Sequence, residues 1–135
     1  MKRNLVLTIT SLVSILFFTL HLTEDIVRGF EPGGFKNISP VLILVVWLYG
    51  TLVLAERRSG YVIIILGSLL ASLMPLAHMR GAGLVGGRIA NSYGEFFFVW
   101  TLLALGVSAL FSVVLSVRGL WCHSSSHQTA GRADA

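Results

Sequence analysis

The chain has 135 residues, 55% of them apolar and only 12% charged, with 10 Lys and Arg against 6 Asp and Glu for a formal charge of +4. A globular domain usually carries about a quarter charged residues. Here four uncharged runs, 4–23, 37–55, 59–79 and 96–117, make up more than half of the chain, more than a soluble core of this size can bury. The low charge also excludes an ordinary disordered protein, and a single Cys excludes a disulfide framework or a CxxC redox pair.

Each run is close to the roughly 20 residues that a helix needs to cross a hydrocarbon core of about 30 Å. Helices are the default in lipid because every backbone amide must be satisfied within the segment, and the alternating pattern of an outer-membrane barrel is absent. The first helix is predicted over 4–22. Lys2 and Arg3 ahead of it resemble a signal peptide, but the stretch is long and Leu20-His21-Leu22-Thr23-Glu24 offers no small-x-small cleavage site, so it is expected to stay uncleaved.

The outer segment that follows holds His21, Glu24, Asp25, Arg28 and Glu31. If the first helix continues by two turns, His21, Asp25 and Arg28 fall at i, i+4 and i+7 and share a face that descends through Phe18, Ser14 and Thr10. A stripe of polar and small residues is what a helix turns toward its partners in lipid. The second helix is predicted over 40–55, with Ser39 as N-cap and Pro40 at the first helical position. It is short, and Arg57 and Arg58 behind it must snorkel. The polar turn Glu56-Arg57-Arg58-Ser59-Gly60 makes an antiparallel hairpin with the third helix, predicted over 60–77, whose inward stripe is Ile64, Ser68, Ala71, Pro75 and His78, with a kink expected at Pro75.

The next outer loop contains Arg80, Arg88 and a formal GxGxxG at Gly81, Gly83 and Gly86. A dinucleotide fingerprint needs a preceding strand, which is missing here. Free amides between two arginines suit an anion such as a lipid phosphate, although the arginines equally suit the acids Glu24, Asp25, Glu31 and Glu95. Ser92-Tyr93-Gly94-Glu95 fits a capping box and opens a fourth helix over 93–117, with Thr101, Ala104, Ser108, Ser112 and Ser116 on one face. Residues 119–135, rich in Ser, Gly and Ala, read as a mobile cytoplasmic tail behind a transmembrane domain over 1–118. Cys122, His123 and His127 in that tail are an incidental match to ligand spacing, and Trp47, Trp100 and Trp121 are interface or packing residues.

The fold class is therefore an all-α membrane protein, an antiparallel four-helix transmembrane bundle, multi-pass in a plasma or inner membrane. Six basic residues (Lys2, Arg3, Arg57, Arg58, Arg118 and Arg132) fall on one side and four (Arg28, Lys36, Arg80 and Arg88) on the other, which places the N and C termini in the cytoplasm. Scattered basic residues without a patch leave the lipid bilayer, another membrane protein or a second copy of the chain as partners, and not nucleic acid.

Function, if chemical, belongs to the outer polar residues. His21, Asp25 and His78 are a reasonable ligand set for a metal ion. Two imidazoles at one depth also suit a haem, and a neutral His bonded to Asp25 is the plain alternative. Glu24, Arg28, Glu31, Arg80, Arg88 and Glu95 form an external polar or anion-binding cluster. No nucleophile and base pair stands out, so the leading expectation is a non-catalytic accessory or binding subunit with an external polar cap. The rivals are a metal- or haem-dependent membrane enzyme and a transporter of a small neutral solute. No carboxylate interrupts any span, which removes the deep coupling residue that proton-driven drug export needs.

Overall fold

A computed structural model describes residues 5–29, 31, 33–79 and 93–133; for 37, 79, 93–95 and 123–133 it describes the backbone alone. Four α-helices account for nearly all of it: α1 (Leu5–Val27), α2 (Ile38–Leu52), α3 (Arg58–Met79) and α4 (Tyr93–Ala133), with one 3-10 turn over Gly34–Asn37 before α2. Three helices are long and apolar enough to cross a membrane, over Leu5–Val27, Arg58–His78 and Phe96–Cys122, and the apolar α2 is shorter. Each packs on the next and α4 returns to α1, so the four close a ring in which α1 also touches α3 across the middle.

The directions follow from the contacts. Ser11 and Phe18 of α1 meet Thr51 and Trp47 of α2 in that order; Trp47 and Gly50 of α2 face Gly67 and Ile63 of α3, and Gly106 and Gly119 of α4 face Pro75 and Tyr61 of α3. Sequence neighbours are thus antiparallel. On α1 the buried residues are Leu7, Ser11, Ser14, Phe18, His21 and Asp25. Their steps of four and three are the 3.5-residue repeat of helices crossing at a shallow left-handed angle. A strict 3.6-residue stripe had pointed to Thr10 as the inward residue. The repeat selects Ser11 instead, while Thr10 turns to the helix edge and returns its hydroxyl to the Val6 and Leu7 carbonyls.

The interior is unusually rich in hydroxyls. Ser11 Oγ and Thr51 Oγ1 are 2.7 Å apart, Trp47 Nε1–H donates to Ser11 Oγ at 3.0 Å, and Ser14 Oγ donates to Ser108 Oγ at 3.1 Å. Between helices in lipid, where there is no hydrophobic gain from association, such bonds and close approach hold elements together. Trp47 can lie fully buried because Gly67 offers no side chain; a Cβ there would stand 2.6 Å from the indole Cδ2.

Several boundaries differ from the sequence reading, among them α2, which ends at Leu52 and not 55, and α3, which runs over Arg58–Met79 and not 60–77. Helix α1 runs past 22 to Val27, as the His21, Asp25 and Arg28 spacing suggested, and ends at Gly29 with φ +76°, the left-handed conformation that favours glycine. Ser39 is not an N-cap, because the 3-10 turn runs straight into α2 and leaves Ser39 and Pro40 inside its first turn, where a missing N–H still costs nothing. Helix α4 does not stop near 117: its backbone stays helical through the segment read as a tail. Gly119 does not end it, since its bare Cα lets the Tyr61 ring pack directly on the helix.

Candidate functional site

The end of the ring where α1 and α3 finish and α4 starts gathers the ionisable residues. The extra length of α1 sets His21 and Asp25 one turn apart on its inward face, 3% and 6% exposed. The extra length of α3 brings in His78. Asp25 Oδ2 lies 3.3 Å from His21 Nε2 and 3.5 Å from His78 Nε2, and one candidate ligand atom from each of the three residues lies within 4.8 Å of the others. The imidazoles meet edge to face, centroids 4.6 Å apart at 80°.

Phe98 of α4 closes a further side, its ring 5.5 Å from His21 and 5.8 Å from His78. The Arg28 guanidinium also lies over that ring, 5.0 Å from the centroid, a cation–π contact. Arg28 is 3.7 Å from Glu24 one turn back, a partly exposed pair.

Hydrogen bonding fixes which nitrogen of His78 faces the cluster. Its Nδ1 is 3.0 Å from the Met74 carbonyl, which can only accept, so Nδ1 carries a hydrogen and Nε2 is the nitrogen turned toward Asp25. Among the described residues, both ring nitrogens of His21 and Oδ1 of Asp25 are buried without a hydrogen-bond partner, the His21 to Asp25 approach being close but poorly aligned. Electron-rich atoms thus converge on one point in a place of low dielectric. Buried polar atoms left in that state are costly, and a positive charge among them relieves the cost.

The remaining predicted site residues divide. Glu24 and Arg28 stand beside the cluster. Glu31 is exposed, and its amide donates to the Asp25 carbonyl at 3.2 Å. Glu95 lies one turn before Phe98 on α4 with its backbone alone described, and Arg80, Arg88 and the glycine loop fall outside the described residues. Axial imidazoles of a haem flank the porphyrin on opposite faces, and two rings meeting edge to face at 4.6 Å leave no room for a macrocycle between them. Phe98 is not among the residues the sequence singles out; its signal is its place three residues after Glu95 of the capping box.

The fold and site together define an all-helical protein with three helices able to cross a membrane and a buried His, Asp and His cluster at one end of the ring. No known protein family, curated protein or solved structure matches the chain.

Proposed function

We propose that the chain is a multi-pass integral membrane protein, crossing the bilayer with all four helices and with both termini cytoplasmic, that binds a cation at its outer face through His21, Asp25 and His78. The observation that carries the reading is the convergence of one buried carboxylate and two imidazoles on a single point. An ionisable cluster packed inside a membrane bundle is a functional site by default.

Tryptophans support the placement in the bilayer. Trp100 and Trp121 on α4 are 62% and 72% exposed, and at 1.5 Å per residue they stand about 31 Å apart, the thickness of a hydrocarbon core with an aromatic at each boundary. Between them Leu103, Val107, Leu110, Phe111 and Val114 are exposed and apolar, as a lipid-facing surface should be. Arg57, Arg58 and Arg118 cluster toward the Trp121 boundary. Phe98, and with it the two imidazoles, sits just beyond Trp100, at a depth that water and ions reach.

The role is binding, in an accessory or carrier capacity. The nearby hydroxyl, Thr101, spends its proton on the Phe97 carbonyl at 2.7 Å, and the buried serines lie deeper in the ring. Orientation is tested with a membrane-impermeant thiol reagent in a Cys122→Ser background. Phe35→Cys, in the exposed turn before α2, is expected to label in intact cells, and Arg57→Cys only after permeabilisation. Labelling of both from one side sinks the crossing of α2, and with it the placement of both termini on one side.

A further inference from the structure

We propose that the cation is a single divalent transition metal of the zinc and cobalt class, held by His78 Nε2, a ring nitrogen of His21 and the Asp25 carboxylate, with a fourth tetrahedral position open to water or an external ligand. This deepens the reading of the cluster as a cation centre and rests on it.

The geometry points to such an ion. Around a tetrahedral metal with bonds of about 2.0–2.1 Å, neighbouring donor atoms stand about 3.3–3.4 Å apart. Asp25 Oδ2 is 3.3 Å from one imidazole nitrogen and 3.5 Å from the other, so the carboxylate already sits at ligand spacing from both. The remaining donor pair is within 4.8 Å and needs only a small ring rotation to close.

The chemistry of the set agrees. Two imidazoles and one carboxylate suit zinc, cobalt or copper, whereas magnesium and calcium take six or more oxygens. The Met74 carbonyl on His78 Nδ1 is the kind of second contact that ligating histidines make: it fixes the tautomer, turns Nε2 inward and raises its basicity.

A proton is the competing cation, and it serves fewer partners. On His78 it joins Nε2 to Asp25 and leaves the two His21 nitrogens and Asp25 Oδ1 as they are, buried and, among the described residues, unpartnered. A metal takes up a His21 nitrogen as well. Three protein donors leave one tetrahedral position, the arrangement of sites that exchange a ligand and not of purely structural ones.

The test uses full-length protein in detergent, stripped with chelator and titrated with Co2+. One equivalent is expected to give the intense visible bands of tetrahedral cobalt, displaced by Zn2+ and unaffected by Mg2+ or Ca2+. His21→Ala, Asp25→Asn and His78→Ala should each weaken binding by at least roughly a hundredfold. Because His78 is half-buried, its variant is the one most able to keep the fold, and helicity by circular dichroism qualifies each result. Cys122→Ser should leave the bands unchanged. Absence of the bands in helical wild-type protein, the weak bands of octahedral cobalt, or bands lost in Cys122→Ser overturn the proposal. A cobalt-silent protein whose stability changes with pH in a way that Asp25→Asn abolishes retains a proton centre and sinks the metal alone. One that shows neither sinks the cation centre with it.

Discussion

At the scale of single residues, the cluster depends on how electron pairs are directed more than on which residues are present. His21 and Asp25 were legible in the sequence as an i, i+4 pair, and His78 as the last polar residue of its helix. What spacing cannot show is that the Met74 carbonyl turns His78 Nε2 toward Asp25, or that Phe98 arrives from a helix far along the chain. Both are consequences of tertiary packing. Protons compete with a metal for the two imidazole lone pairs, so affinity falls as pH falls. Zn2+ affinity is therefore expected to be lower in acidic than in neutral buffer. An affinity that rises as pH falls removes the imidazoles from the ligand set.

Ser11 gives a separate residue-scale test. It accepts from Trp47 Nε1–H and shares a hydrogen with Thr51. Ser11→Ala deletes one atom and leaves the buried indole N–H without its acceptor, at an expected cost of about 1–2 kcal/mol in detergent unfolding. Adding Trp47→Phe should cost less than the sum of the two single changes, because both remove the same bond.

At the scale of elements, the helices were legible and their ends less so. Hydrophobic run length located all four, since lipid imposes a length directly. It does not specify ends that lie in the interface, where α1 and α3 gain the turns that carry Asp25 and His78. Gly119 shows the same limit. Alone in a Ser- and Gly-rich stretch it reads as a helix terminus, yet a helical glycine costs only about 1 kcal/mol, and here it provides the bare surface on which Tyr61 packs. Gly67 plays that part for α2 and α3. Gly67→Ala brings a methyl to 2.6 Å from Trp47 and is expected to cost about 1–3 kcal/mol by overpacking. Gly33→Ala, whose Cβ meets Ile26 at an ordinary 3.5 Å, should leave the detergent unfolding midpoint unchanged.

At the scale of the whole molecule, polar chemistry is segregated by depth. Hydroxyls such as Ser11, Ser14, Thr51 and Ser112 fill the interior, while the groups able to carry charge sit at the ends. Composition made this partly legible, because charge is excluded from each of the four apolar runs, 4–23, 37–55, 59–79 and 96–117. The closing of the ring, which brings α1 to α3, was not legible from it. Single-tryptophan variants in vesicles with lipids brominated at set depths check the placement: Trp100 and Trp121 should be quenched by bromine near the headgroups, and Trp47, 1% exposed, by none. The claim of a cation centre at one end of the ring meets its most direct test in elemental analysis of the tag-free, full-length protein after dialysis against trace zinc. About one zinc per chain is expected in the wild type, as for a single tetrahedral site, with almost none in a helical His78→Ala. Wild-type protein without zinc, or equal zinc in both, would contradict it.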